Sequence, residues 1–167
     1  MSGTSELLLL LGSLVIFSLV SLNINTMLAN NSDLMVSQEY EYQAVAVGQS
    51  YIESMRALAF DESTLGGTIP TTVPNDFSNA ANFGGNGEGE SVADFDDFDD
   101  YDEYVVSDTT VHGVFDVYIN VIYVTEDNPN VNAGIKTTHK RMDITVSNQV
   151  LEHDVTLSYI RSFTGTL

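Results

Sequence analysis

An uncharged apolar run near the start of the chain limits its fold more than any other feature. Residues 7–22 read LLLLLGSLVIFSLVSL, and the segment extends to Leu28 with interruptions at Asn23 and Asn25. As an α-helix, the 22 residues from Leu7 to Leu28 would be about 33 Å long, enough to cross the hydrocarbon core of a bilayer. The sequence therefore predicts a helix that enters a membrane.

The flanks of this run are unusual for a signal peptide or a plain anchor. A signal peptide has a basic region before its apolar segment, and an anchor usually has basic residues on its cytoplasmic side. Here no Lys or Arg precedes Arg56, and Glu6 stands directly before the run. Moving a carboxylate to the bilayer centre costs about 2.5–3.5 kcal/mol, so Glu6 favours a partner. We expect that a basic leader was removed or was very short.

This pattern carries a resemblance to a known family. A small polar N-terminus, a single Glu and a long apolar segment that continues into an amphipathic helix resemble a mature type IV pilin or pseudopilin. In that family a leader peptidase removes a short leader, and the Glu pairs with the N-terminal amine of a neighbouring subunit. The resemblance implies that Glu6 has this role, and that cleavage lies in the region of Met1, Ser2 and Gly3. Glu6 matches the family's register if the mature chain starts at Ser2.

The resemblance also implies a function and a set of partners. The chain would be a structural subunit, held in the cytoplasmic membrane before assembly. An inner-membrane assembly machinery would then move it into a helical filament on the cell surface, made of copies of itself or of other pilins. The filament-core positions would include Leu7, Leu10, Leu14, Phe17 and Leu22. The alternative is a single-pass, membrane-anchored extracytoplasmic module that binds calcium or another partner.

The segment after the apolar run predicts a weak point in the helix. Residues 23–33 read NINTMLANNSD, and Asn and Ser compete locally for backbone hydrogen bonds. We expect a loosened or extended stretch here, with the helix resuming near Ser32 as its N-cap. This divides the chain into a membrane or filament-core helix, 1–31, and a globular head, 32–167.

The head begins with a predicted amphipathic helix, 32–60. Apolar and small side chains recur along it at helical spacing and form one stripe that would face a sheet. A loop region, 61–103, is rich in Gly and Pro and contains an acidic cluster. The predicted stripe is Ala44, Val45, Gly48, Ile52, Met55 and Ala59.

The last third of the chain, 104–167, has the alternation typical of strands. In the strongest run, Phe115, Val117, Ile119, Val121 and Tyr123 occupy one face. The fold class predicted is therefore α+β: a long N-terminal helix, with an apolar stalk and an amphipathic half, packed on an antiparallel sheet of about four strands. The predicted strands are Tyr104–Thr110, Val114–Thr125, Ile135–Ser147 and Asp154–Phe163.

The acidic cluster admits three interpretations. Nine acids lie between Glu88 and Glu103, with Phe95, Phe98 and Tyr101 between them. The cluster is a turn whose aromatic side chains point inward while the acids face water, or a Ca²⁺ site, or a surface for a basic partner or a neighbouring subunit. The candidate calcium ligands are Asp94, Asp96, Asp97, Asp99 and Asp100.

Composition excludes several other classes of function. The net charge of −19, from 24 acidic and 5 basic residues, disfavours nucleic acid as a partner. The chain has no Cys, so it has neither disulfides nor a thiolate nucleophile. Its three His residues are scattered, and it has no HExxH, GxSxG or P-loop motif. We therefore expect a protein that is not an enzyme and needs no cofactor other than a candidate Ca²⁺.

Overall fold

The computed structural model describes residues 3–84 and 91–165. Met1, Ser2, Glu88 and Glu90 lie outside this part of the chain, and with them most of the expected cleavage region. One long helix is followed by two short 3₁₀ helices and a four-stranded antiparallel sheet, so the α+β prediction is confirmed. The elements are α1 (Gly3–Arg56), the 3₁₀ helices Glu62–Gly67 and Ala80–Asn82, and the strands β1 (Tyr104–Thr110), β2 (Gly113–Val124), β3 (His139–Ser147) and β4 (Val155–Ser162).

Helix α1 has no break where the sequence predicted one. Residues 23–33 are helical throughout, so the loosened stretch and the N-cap at Ser32 were wrong. Asn and Ser lower helix propensity by no more than about 0.7 kcal/mol each, and an existing helix propagates more easily than a new one nucleates. Leu, Met and Ala residues between the Asn residues favour the helix enough to offset this penalty. The chain divides into two compact units between Glu39 and Tyr40, eight positions after the predicted boundary between residues 31 and 32.

In the second unit, α1 packs on the sheet through a stripe that differs slightly from the predicted one. Ala44, Gly48, Ile52 and Met55 are buried as expected, and Val47 is buried with them. Val45 is instead 42% exposed, because each helical residue turns by about 100° and Val45 lies off the stripe's centre. Gly48 allows close approach, since a Cβ there would overlap the Leu157 side chain.

Ala59 also fails to join the helical stripe, because α1 ends at Arg56 rather than at residue 60. The backbone of Ala59 instead forms an isolated parallel bridge with Asp97. This bridge joins the segment after the helix to the acidic segment before β1. The amide of Ala59 donates to the carbonyl of Asp96 at 3.0 Å.

The sheet is a meander in which each strand pairs with the next, in the order β1-β2-β3-β4. Val117 of β2 lies opposite Val106 of β1 and Val146 of β3, and Val121 lies opposite Met142. The alternation predicted for β2 is confirmed. Its inward side chains, all at most 2% exposed, are Phe115, Val117, Ile119, Val121 and Tyr123.

Strand β3 continues this inward face with one unexpected residue. Met142, Ile144 and Val146 are fully buried, as their alternation predicted. Lys140 occupies the preceding inward position, because side chains two residues apart share a face, and it too is 0% exposed. The start of β3 at His139, four residues after the predicted start, makes Lys140 the second residue of the strand. The sheet therefore carries a buried ammonium at one end of its apolar face.

Candidate functional site: the exposed apolar helix and the buried carboxylate cluster

The N-terminal part of α1 exposes a long apolar surface. Phe17 is 73% exposed and Leu14 57%, and no residue of the most apolar stretch of α1 is buried. By length and composition this helix is compatible with a transmembrane helix. The other three predicted filament-core residues are exposed to a similar degree: Leu7, Leu10 and Leu22.

The hydroxyl groups of this segment are satisfied within the helix. Ser13 donates to the carbonyl of Leu10 at 2.8 Å, and Ser18 donates to the carbonyl of Leu14 at 2.8 Å. Thr26 makes the equivalent bond to Leu22 at 3.0 Å. Such internal bonds remove most of the desolvation penalty of a hydroxyl, so the helix can lie in lipid or among other helices.

Glu6 lies in the first turn of α1, and its side chain is exposed. A carboxylate is favourable at this end of a helix, where the unpaired amides carry partial positive charge. Gly3, the third residue of the predicted cleavage region, begins the helix. The pairing of Glu6 with another subunit's amine stays a prediction.

The acidic segment before β1 divides into exposed and buried members. Asp94 and Asp96 are exposed, whereas Asp97, Asp99 and Asp100 are at most 2% exposed. The interpretation that the acids of this turn all face water was therefore wrong for these three residues. The inward position predicted for the aromatic residues is confirmed for Phe98, which is 0% exposed.

Backbone donors explain the burial of two of these acids. Oδ1 of Asp97 accepts hydrogen bonds from the amides of Asp99 at 2.8 Å and of Asp100 at 3.2 Å. Oδ2 of Asp100 accepts from the amides of Asp96 and Asp97, both at 2.9 Å. These are local Asx-type bonds that close the turn and satisfy amides that would otherwise be buried without a partner.

Lys140 connects this turn to the loop after α1. Its Nζ donates to Oδ2 of Asp61 at 2.8 Å, to the carbonyl of Phe60 at 2.9 Å, and to Oδ1 of Asp99. We call Asp61, Asp97, Asp99, Asp100 and Lys140 the buried carboxylate cluster; each of its members is at most 2% exposed.

Aromatic rings enclose the ammonium of the cluster. Its Nζ lies 4.7 Å from the ring centre of Phe60, 4.9 Å from that of Phe83 and 5.4 Å from that of Tyr123. Rings at this distance attract a cation through their negative faces. They also keep water away from Lys140 and its carboxylate partners.

Asp61 is held as an anion by several donors. It accepts from the amide and hydroxyl of Ser63 at 3.2 and 2.7 Å, and from the amide of Ser78 at 2.9 Å, besides Lys140. Burial alone would raise the pKa of Asp61, but the charge of Lys140 and these hydrogen bonds outweigh it and lower the pKa below 3.8. Asp61 is also the N-cap of the first 3₁₀ helix.

Asp97 and Asp99 lie in the opposite electrostatic environment. Burial raises the pKa of Asp99 to about 9, although Lys140 opposes the rise, and the charge of Asp97 adds to it. Burial likewise raises the pKa of Asp97 above its ordinary value. Oδ2 of Asp97 and Oδ2 of Asp99 are both buried without a hydrogen-bond donor among the described residues. One cluster therefore contains an acid that favours ionisation and two that favour the protonated form.

Within residues 3–84 and 91–165, no three His, Cys, Asp or Glu side chains are arranged to hold a metal ion. Among the candidate calcium ligands, Asp97 and Asp100 use oxygens to accept backbone amides, and Asp99 accepts from Lys140. Asp94 accepts from the hydroxyl of Ser91 at 2.6 Å. Calcium binding by this segment stays a prediction.

Sequence reasoning missed both Lys140 and Asp61. For Lys140 a signal was present, since it stands two residues before Met142 in the alternation of β3. For Asp61, the pattern DEST at residues 61–64 has the capping residue followed by Thr64 at the third helical position. The pairing of the two residues spans 79 positions and has no local signal.

No protein-family model, curated protein or solved structure matches this chain.

Proposed function

We propose that this protein is a structural subunit of a type IV pilus-like extracellular filament, and that it polymerises through the apolar N-terminal part of α1. The observation that carries this proposal is the exposure of the apolar segment, with Phe17 at 73% and Leu10 at 61%. An apolar surface of this extent needs a cover of lipid or protein. In a filament, the helices of neighbouring subunits provide that cover.

The unbroken course of α1 supports this role. The same helix that carries the exposed apolar residues supplies Ala44, Ile52 and Met55 to the core of the second unit. The exposed apolar segment and the part of the head that α1 contributes therefore belong to one continuous helix.

Glu6 supplies the specificity of assembly in this proposal. In the cytoplasmic membrane, its carboxylate lies beside the apolar segment, where a cationic partner lowers the free energy of burial. The N-terminal amine of an adjacent subunit is such a partner. Packing of apolar helices and neutralisation of Glu6 would then drive the transfer from lipid into the filament. The partners are other copies of this chain or other pilins, together with the inner-membrane assembly machinery.

The alternative is a single-pass, membrane-anchored module that acts as a monomer. It needs the apolar segment but gives Glu6 no special role. Replacement of Glu6 by Ala therefore separates the two functions. Glu41→Ala is the matched control, because Glu41 is an exposed acid on the same helix.

The experiment compares the amount of each variant in sheared surface filaments with the amount in the membrane fraction. We expect Glu6→Ala to remain in the membrane and be depleted from filaments, while Glu41→Ala assembles like the wild type. Resistance of the head to limited proteolysis checks that both variants are folded. Normal incorporation of Glu6→Ala would refute the pairing role.

A further inference from the structure

The buried carboxylate cluster contains more acid than its single ammonium neutralises. Lys140 faces Asp61 and Asp99, and the side chains of Asp97 and Asp100 are buried beside them. In the part of the chain that the structure describes, two carboxyl oxygens have no donor: Oδ2 of Asp97 and Oδ2 of Asp99. A buried carboxylate oxygen without a donor raises the free energy of the folded state. The cluster therefore favours proton transfers or reactions that remove charge.

The two carboxyl groups in contact with Lys140 differ in their hydrogen-bond donors, and this difference gives them different chemical roles. Asp61 keeps three donors from Ser63 and Ser78 even without the lysine, so it stays an anion. Within residues 3–84 and 91–165, Asp99 has Lys140 as its side-chain donor on Oδ1 and no donor on Oδ2. Burial raises the pKa of Asp99 to about 9, which favours its protonated form.

The surroundings of Lys140 and Asp99 exclude water, so two separate charges are costly there. Its Nζ is fully buried beneath the rings of Phe60, Phe83 and Tyr123. In such a water-poor site, transfer of a proton from the ammonium to a carboxylate removes two buried charges at once. A desolvated, unprotonated lysine amine is a nucleophile. Because Nζ already contacts Oδ1 of Asp99, it lies next to the carboxyl carbon.

We infer that Lys140 and Asp99 condense spontaneously to an isopeptide bond that ties β3 to the acidic segment before β1. A proton first passes from the Lys140 ammonium to the Asp99 carboxylate. The Nζ lone pair then attacks Cγ of Asp99, the Nζ–Cγ bond forms, and the Cγ–O bond to the hydroxyl breaks. One amide and one water result, with no oxidant, reductant or cofactor.

Asp61 acts as the proton relay in this condensation. Its Oδ2 lies 2.8 Å from Nζ, so it takes a proton from the attacking nitrogen and returns it to the departing hydroxyl. It ends the reaction ionised, as it began, held by Ser63 and Ser78. Asp97 is a positioning residue: its carboxyl group is buried beside Asp99, and any negative charge on it raises the pKa of Asp99 further.

The bond has a clear structural consequence in a chain without cysteine. It closes a loop across 41 positions of sequence, between the acidic turn and the central strand β3. A covalent closure restricts the unfolded chain in the way a disulfide does, and it does not depend on redox conditions. The bond would form equally in a filament subunit and in a monomeric anchored head, so it stands apart from the proposed function.

Intact mass spectrometry of the denatured full chain, purified in detergent, tests the inference. We expect the folded wild type to be lighter than its sequence by one water. Trypsin cuts after Arg56, Lys136 and Arg141, so residues 57–136 and 137–141 should remain joined in one peptide. A full sequence mass in wild-type protein with native circular dichroism would overturn the inference.

Two variants locate the bond. Lys140→Arg keeps the positive charge but has no amine for amide formation, so it should show the full mass. Asp99→Asn should lose one ammonia instead of one water, because the departing group changes. Loss of water from either variant would place the dehydration elsewhere and contradict the assignment.

A third variant tests the relay. Asp61→Asn keeps an oxygen that can accept from Ser63 but has no carboxylate to take a proton. The joined species should form about 100-fold more slowly after synthesis than in the wild type. An unchanged rate would remove Asp61 from the reaction.

Discussion

The Nζ of Lys140 lies 2.8 Å from Oδ2 of Asp61, and both side chains are fully buried although 79 positions separate them in the sequence. Lys140 is the second residue of β3, and Asp61 is the N-cap of the first 3₁₀ helix after α1. The contact therefore joins the central sheet to the loop that leaves the long helix. Removal of Lys140 would leave Asp61 with the donors of Ser63 and Ser78 alone, and removal of Asp61 would leave Lys140 with Asp99 and the carbonyl of Phe60.

Lys140→Met should destabilise the head strongly. Methionine keeps an apolar side chain, one atom shorter than that of lysine, but it supplies no Nζ donor to buried Asp61 and cannot join Asp99; loss of one partner from a buried pair costs about 3–5 kcal/mol. Arg56→Met is the matched control, because the contact of Arg56 with Glu53 at 3.7 Å is exposed and should contribute less than about 1 kcal/mol. Urea denaturation of the full chain in detergent measures both. Equal losses of stability would contradict the role assigned to Lys140.

Asp97 should make the head less stable as the pH rises from 3.8. Burial raises its pKa, so in this window the folded protein holds a proton that the unfolded chain has released. The free energy of unfolding then falls with rising pH by up to about 1.4 kcal/mol per unit until the raised pKa is reached. Asp61, whose pKa is lowered, has the opposite effect only below 3.8.

Asp97→Asn isolates this contribution. The amide oxygen can still accept from the amides of Asp99 and Asp100, but the side chain no longer titrates. Stability measured at several pH values between about 4 and 7 should therefore depend less steeply on pH in the variant than in the wild type. Parallel curves for the two proteins would mean that Asp97 is ionised in the folded state. The charged groups around it are Asp99, Asp100 and Lys140.

Gly84 and Gly67 provide a matched test of close packing around the acidic turn. Both have φ of +80°, but a Cβ on Gly84 would lie 2.6 Å from the carbonyl oxygen of Asp102, whereas a Cβ on Gly67 would meet open space. Alanine at Gly67 should cost about 1–2 kcal/mol, the price of the left-handed conformation. Alanine at Gly84 should cost about 1–3 kcal/mol more. Denaturation midpoints of the two variants check this difference, and equal midpoints would contradict it.

Calcium should leave the stability of the head unchanged. The oxygens of Asp97 and Asp100 that close the turn already accept backbone amides, and Lys140 occupies the position between Asp61 and Asp99. Thermal melting of the full chain with calcium and with a chelator checks this. A ligand at 100 times its dissociation constant would stabilise the protein by about 2.7 kcal/mol, so a clear rise in melting temperature would support the calcium-binding alternative.

Local patterns were sufficient to predict the sheet. The alternation of β2 and of Met142, Ile144 and Val146 in β3 gave the buried face directly, because side chains two residues apart share a face of a strand. The same rule places Lys140 inside, but its charge made that position unexpected. Its burial depends on Asp61 and Asp99, which lie far away in the sequence.

Two of the predictions that failed rested on a local tendency that other interactions outweighed. The Asn-rich stretch at 23–33 lowers helix propensity, but the helix continues through it because propagation from the flanking turns is easier than a new nucleation. In the acidic segment, the charge of each Asp and Glu side chain predicted that it would face water. Asp97 and Asp100 are nevertheless buried, because they accept amides of their own turn at 2.8–3.2 Å.

The filament role is tested most directly by electron cryomicroscopy of the surface filaments of the source cells, with the subunit identified by mass spectrometry. We expect a helical filament that contains this chain, with the apolar segment from Leu7 to Leu28 bundled in its core and Glu6 next to the N-terminal amine of a neighbouring subunit. Recovery of the chain only as a monomer in the membrane fraction, with filaments that lack it, would contradict the filament role.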